Sequence, residues 1–443
     1  MDFEMANENL DRLSPFDLMC KLVSFPTVSC ETNLPLVDWV ESYLHSHGIS
    51  AHRWTDPDQP HKAALFAHVG PEIAGAIVLS GHTDVVPIDG QNWETNPWEV
   101  VEKDGRYYGR GTCDMKGFDA LAIWALVEAH YIGVSRPLQL ALSFDEEVGC
   151  TGAPPMIAAM QGVVPKGSAV IVGEPSMMKA VTGHKGGSGF TTQVVGYEVH
   201  SSIHYQGVSA IHEGARLIQW ATEQNDINRS KEPEPLAMMF DPPYTTWHVG
   251  TISGGTADNI TAKDCQFNMG YRAVPSDDTQ NLDRMYAEKV REVKTAMQAV
   301  RPEADIILTS RYAVTPLKPE NNGEAELLVR SITGDNGDQF VSDGTEAGQF
   351  QDAGYSVVVC GPGDIAQAHQ PNEFIEVAQL EAGHKFMRNL LSVLRLAIIF
   401  SSSLFKIKLS DLPSRDLCIS NSSSTIFILS TILSEILKNS PSA

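Results

Sequence analysis

Five potential metal ligands follow stretches that read as buried strands. Ala74 to Ser80 (AGAIVLS) runs into His82-Thr83-Asp84, and Leu138 to Phe144 (LQLALSF) runs into Asp145-Glu146-Glu147. Ala169 to Val172 (AVIV) leads to Gly173-Glu174-Pro175, and Tyr355 to Cys360 (YSVVVC) to a glycine loop ending at His369. Asp114 lies in the loop between the first two of these strands. Continuous apolar strands are those of a parallel sheet covered on both faces, and such sheets hold ligands outside the carboxyl ends of their strands. His82, Asp114, Glu147, Glu174 and His369 are therefore expected to meet at one point, with the makings of a two-metal hydrolytic site.

Zinc takes histidine nitrogen and carboxylate oxygen in near-tetrahedral sites, and a catalytic ion keeps one position open. If Asp114 bridges two ions, His82 and Glu174 complete one, and Glu147 and His369 complete the other. Three carboxylates and a hydroxide then balance the charge of two Zn2+ ions. Asp84 is placed to hold the second nitrogen of His82, as carboxylates behind metal-bound histidines commonly do. Glu146 is left with no metal to bind. A free carboxylate beside an activated water is what a hydrolase needs as general base and then as acid to the leaving amine. Taken singly, each motif has an ordinary reading: a His-Asp hydrogen bond, a solvated Glu-Glu turn, a turn with a helix-start proline, a loop cap. An ordinary parallel-sheet protein has no reason to place all four after four separate strands.

The surrounding elements support that placement. Phe16 to Leu22 and Asn33 to His47 carry apolar residues at helical spacing, separated by the turn at Pro26, and Gly117 to His130 reads as an amphipathic helix. Strands alternating with helices predict an α/β fold, a mainly parallel sheet sandwiched by helices. From Gly186 the pattern changes. Strands are expected at Ser188 to Val195, His248 to Ile252 and Cys265 to Ala273, with helices at Val208 to Asn225 and Asp278 to Ala299. These predict an α+β lid or dimerisation domain over residues 186–305, inserted between catalytic parts 1–185 and 306–396. Glu381 to Leu394 reads as the last helix of the catalytic domain, and 397–443 as an atypical Ser-rich tail. Leu390 to Phe405 is shorter than the roughly 18 to 20 residues a membrane span needs and contains Arg395.

The 443 residues have a formal net charge of −23. The absence of a basic stripe to displace counterions from phosphates argues against a nucleic-acid partner; the acidity either favours cationic substrates or serves solubility alone. Seven cysteines in no CxxC pair suggest reduced thiols rather than a disulfide scaffold. Cys113 reads as a buried filler beside Asp114 rather than a zinc thiolate. The opening MDFEMANENLDRL has acids in place of a basic, apolar leader, so the cytoplasm is expected and no membrane partner is.

Together GHTDVVP (Gly81 to Pro87), YYGRGTCDMKG (Tyr107 to Gly117), DEEVGCTGA (Asp145 to Ala153), GEP (Gly173 to Pro175) and GPGDIAQAHQPNEF (Gly361 to Phe374) carry a family resemblance. The chain from about Pro15 to Leu394 resembles the dinuclear-zinc hydrolases that include aminoacylases, glutamate carboxypeptidase and succinyl-diaminopimelate desuccinylase. His184-Lys185-Gly186, Asp343 to Ala347 (DGTEA) and AQAHQPNEF are most similar to its acetylornithine deacetylase branch. The resemblance implies two Zn2+ ions, with Co2+ able to substitute, a homodimer, and a small N-acyl amino acid substrate. In that branch the reaction converts N2-acetyl-L-ornithine to L-ornithine and acetate for arginine biosynthesis. Its rivals are a broader N-acyl amino acid deacylase, a desuccinylase, and a metal-binding regulator without turnover.

The resemblance also implies roles beyond the strand ends. His200, followed by Ser201-Ser202, matches a histidine that reaches a neighbouring active site across a dimer and stabilises the oxyanion. Val199 stands before it where the family has glycine. Arg272 in MGYRAVP matches the arginine that pairs with the substrate α-carboxylate. Asn259 in GGTADNI matches a polar residue near that carboxylate or the oxyanion, with Ile260 where an arginine often follows. Glu346 is the expected contact for the cationic ornithine side chain.

Overall fold

The computed structural model of the chain describes residues 12–401. The four strands that precede the strand-end ligands lie side by side in the order Leu138–Ser143, Ala76–His82, Gly167–Pro175 and Ser356–Gly361, each parallel to its neighbour. Their side chains are buried almost throughout. Alternate residues feed two cores, as the two-residue period of a strand requires. Ile77, Leu79, Ile171 and Val358 pack with the helices Pro15–Val23, Leu34–Ser46, Lys116–Ile132, Glu324–Thr333 and Val377–Ser401. Val78, Val170, Val172 and Val357 pack on the other face with Ala153–Val163 and Ala347–Asp352. Antiparallel strands Ala51–Thr55 and Ala63–Val69 extend one edge, and the short strands Val181–His184 and Gln339–Val341 the other, giving eight strands.

A second, four-stranded sheet is antiparallel throughout, in the order Thr246–Gly254, Asp264–Ala273, Gly186–Val195 and Asp305–Val314. Ala210–Ser230 and Thr279–Val300 pack on it over a separate core that includes Leu217, Trp220, Trp247, Phe267 and Tyr286. The strand Asp305–Val314 was not expected from the sequence. Only Ile306 and Val314 of its ten residues are buried, so its apolar pattern is faint. The 305/306 boundary therefore falls at the start of a strand that belongs to the smaller sheet.

The terminal helix runs Val377–Ser401, longer at both ends than Glu381 to Leu394 and across the 396/397 boundary. The tail beyond 401 lies outside the described residues. Among the described residues, no helix is long and apolar enough to cross a membrane, and the six cysteines are all free.

Candidate active site

Two of the candidate ligands, His82 and Glu174, are each preceded by a glycine, and the packing explains both. A Cβ on Gly81 would sit 2.1 Å from Asp119 Oδ1, and one on Gly173 would sit 2.0 Å from the Phe118 ring. Asp119 and Phe118 belong to the first turn of Lys116–Ile132, the helix that starts two residues after Asp114. Only glycine lets this turn press onto the strand ends, and that contact fixes Asp114 beside His82 and Glu174.

Asp114 faces two histidines. Its Oδ1 lies 3.2 Å from His82 Nε2, and its Oδ2 lies 3.3 Å from His369 Nε2. Glu174 Oε1 is 3.6 Å from His82 Nε2, while Glu147 Oε2 is 2.8 Å from His369 Nε2. The side chains thus form two triads joined through one carboxylate. Glu146 stands beside them: it, His82 and Glu174 offer atoms within 4.8 Å of one another, and its Oε1 accepts a hydrogen bond from Cys150 Sγ at 3.1 Å.

Asp84 meets His82 differently from the sequence expectation. The nearest acceptor for His82 Nδ1 is the Asp84 backbone carbonyl at 2.9 Å, and the Asp84 carboxylate is farther away at 3.5 Å. That carboxylate mainly accepts from Ser29 Oγ at 2.6 Å and from the backbone N–H of Glu146 at 3.1 Å. Asp84 therefore joins the His82 strand to the Glu146-Glu147 turn.

The cluster is short of positive charge. Glu147 Oε1 and Glu174 Oε1 are buried with no hydrogen-bond partner. Burial pushes the Glu174 carboxyl well above its usual range, and the charges of Asp114 and Glu146 add to this. Burial likewise raises Glu147, helped by Asp114, and raises Glu146, where Glu147 and Asp114 oppose the effect of His82. Burial would also raise Asp114, but hydrogen bonds from His369 and His82 outweigh it and hold this carboxyl low. Hydrogen bonds to Asp114 and Glu147 in turn raise His369 to about 10. Buried, mutually repelling carboxylates with unused lone pairs, interleaved with two imidazoles, fit a pair of divalent cations. Cys113 takes no part; its Sγ points to the Asp364 carbonyl at 3.4 Å.

Asp114, Glu146, Glu147, Glu174 and His369 line a cavity of about 280 Å3, and Arg272 of the smaller sheet lines it with them. Glu346 does not reach this cavity. It is 1% exposed, and the hydroxyls of Ser80 and Ser143 donate to its two oxygens. A carboxylate so enclosed ties two strands together and cannot meet a substrate side chain, which corrects the expected ornithine contact. Asn259 and His200 are exposed and lie outside the lining of this cavity. The Asn259 carbonyl accepts the N–H of Ser201, and His200 Nδ1 bonds Ser202 Oγ at 2.8 Å. Within one chain, the structure brings neither to the cluster.

Residues 78–393 match the model of peptidase family M20/M25/M40. The chain belongs to this family. An acetylornithine deacetylase from Myxococcus xanthus is 35% identical over 366 residues, covering 82% of this chain and 92% of the relative. One from Proteus mirabilis is 30% identical over 381 residues, or 85% and 95% of the two chains. Among solved structures, an M20 family metallo-carboxypeptidase from Sulfolobus solfataricus shares the fold with a TM-score of 0.69 at 16% identity, over 86% of this chain and 98% of the other. Human carnosine dipeptidase 1 gives 0.64 at 16% identity, over 85% and 96%. This M20 chain is a metallohydrolase acting on amide bonds.

Two features of the M20 site were not found in the sequence. Glu373, four residues after His369, is buried, and its Oε1 accepts the backbone N–H groups of Gly111, Cys113 and Asp114, each at 3.0 Å. Its other oxygen pairs with Arg110 Nη1 at 2.7 Å. The signal was present inside AHQPNEF, as a carboxylate on the same loop as His369. The other feature is Arg311, which joins Arg272 on the cavity wall. It lies in a bulge, where Ser310 pairs with Phe190 and Tyr312 with Gly189. A bulge re-aims a side chain in a way that alternation along a strand does not reveal.

Proposed function

We propose that this M20 hydrolase removes the acetyl group from N2-acetyl-L-ornithine, releasing L-ornithine and acetate as a step of arginine biosynthesis. The observation that carries this reading is the sharing of Asp114 between two triads, with Glu146 beside them and Arg272 in the same cavity. The names of the similar proteins from Myxococcus xanthus and Proteus mirabilis support the choice of substrate.

In this reading His82, Asp114 and Glu174 hold one zinc ion, and Asp114, Glu147 and His369 hold the other, with cobalt able to replace zinc. The bound pair supplies an acidified water and a Lewis acid for the acyl carbonyl. Glu146 takes a proton from the attacking water and returns it to the nitrogen as the C–N bond breaks. Asp84 orients His82 and the Glu146 backbone through the contacts described above. Arg272 pairs with the α-carboxylate through its planar fork.

The catalytic role falls to the larger sheet and the lid role to the smaller one. The enzyme is a homodimer in this proposal, and His200 reaches the site of a neighbouring copy, with Asn259 close to it. The exposure of His200 and of its neighbours Ile203 and Tyr205 in a single chain supports this. A cytoplasmic location agrees with the free cysteines. The deciding experiment is a substrate panel of acetylornithine, acetylmethionine and succinyl-diaminopimelate, run with and without a chelator. Chelator-sensitive turnover with acetylornithine preferred is expected, and preference for the succinyl substrate would refute the assignment.

A further inference from the structure

A second chamber, of about 200 Å3, borders the catalytic cavity. The two share Glu174, Asp343, Thr345 and Ile365 as lining residues, which places the chamber directly beside the cluster. Val181, Val341, Val359 and Ile365 make much of the chamber lining apolar. A water molecule's share of liquid is roughly 30 Å3, so the space suits a linear side chain of several heavy atoms.

The charges are sorted between the two spaces. Arg272 and Arg311 line the catalytic cavity, and neither lines the chamber. Besides the cluster's own Glu174, the chamber has Lys179, Asp343 and Asp364. Lys179 also lines the neighbouring surface with Asp335, whose carboxyl it helps to hold low. Asp364 caps its own turn, accepting the Ala366 N–H at 3.0 Å. The Asp343 carboxylate has no hydrogen bond or ion pair among the described residues, and it lines both spaces.

We propose that the chamber receives the substrate's amino-acid side chain, an aliphatic stem ending in a cation, and that Asp343 is the residue that selects for that cation. This rests on the deacetylase reading and deepens it. The guanidinium side of the cavity takes the α-carboxylate, the valines and Ile365 take the methylene stem, and Asp343 takes the ammonium. Asp343 thereby fills the part that the buried Glu346 cannot, from the same DGTEA segment.

The test compares N2-acetyl-L-ornithine with N2-acetyl-L-norvaline, which keeps the three-carbon stem and lacks the ammonium. The wild type is expected to favour acetylornithine in kcat/KM. In Asp343→Asn the ratio of the two kcat/KM values should fall roughly tenfold, the loss appearing in KM for acetylornithine. Asp343→Glu, which keeps the charge, should recover most of the ratio. An unchanged ratio in Asp343→Asn overturns the inference, as does an equal fall in both variants. A wild type that cleaves both substrates equally well overturns the selectivity while the deacetylase reading stands. A wild type that cleaves neither overturns both.

Discussion

Glu373 and Asp114 are 259 positions apart, yet the Glu373 Oε1 accepts the Asp114 backbone N–H at 3.0 Å. With two further N–H groups of the same loop on that oxygen and Arg110 on the other, one buried carboxylate shapes the segment that presents Asp114 to both histidines.

Replacing Glu373 with alanine leaves Arg110 as a buried charge without its partner, which typically costs about 3–5 kcal/mol. It also frees the Asp114 loop, so metal affinity should fall roughly 10- to 100-fold, as for other groups that orient a ligand. Urea unfolding and a chelator competition titration would measure the two effects. Wild-type affinity in the variant would show that the loop holds its shape without Glu373.

Glu146→Gln separates metal binding from turnover. The substitution keeps the side chain's size and leaves both triads intact, so metal content should stay at the wild-type level. Turnover should drop by about 10²- to 10⁴-fold with the proton carrier gone. Metal analysis beside steady-state kinetics checks both halves, and a variant as fast as wild type would refute the general-base role.

His184 predicts an acid-sensitive stability. Burial lowers its pKa from 6.5 to about 4, and the ring stays neutral in the native chain at mildly acidic pH. Between about pH 6.5 and 4 the unfolded chain binds the proton and the native chain does not, so native stability falls as pH falls through that window. The loss reaches about 3 kcal/mol and levels off below pH 4. In His184→Gln this contribution disappears, so urea midpoints at pH 7 and pH 5 should differ less than in wild type. A steeper dependence in the variant would contradict the assignment.

Metal removal should lower stability, because the cations relieve repulsion among Asp114, Glu146, Glu147 and Glu174. A chelator is expected to reduce Tm, and added Zn2+ to restore it, with Tm rising as free metal rises. Scanning calorimetry across a zinc series tests this; a Tm insensitive to metal would count against a cation site at the cluster.

The central strands were legible because strands buried on both faces leave continuous apolar runs, and the ligands stand just past those runs. The smaller sheet was legible only where alternation was strong. Its last strand, Asp305–Val314, buries only two of its ten residues and left little pattern, so its bulged Arg311 went unseen with it. His82, Glu147, Glu174 and His369 could be grouped from the sequence because position after a strand is a local property, and Asp114 from its place in the loop between two of those strands. Glu346 shows the limit of that reasoning. Whether a carboxylate faces a cavity or two serines depends on packing between Ser80, Ser143 and Ala347–Asp352, segments far apart in the chain.

The strand order has a consequence for biosynthesis. Four of the five grouped side chains come from the first 174 residues, and the fifth, His369, arrives only after the whole smaller sheet has been made. During translation the five groups are not all present until roughly two hundred residues beyond Glu174 have been added, at about 5–20 residues per second. Under the proposed metal assignment, full coordination by these five groups waits until the ribosome has delivered the strand Ser356–Gly361 and the loop behind it.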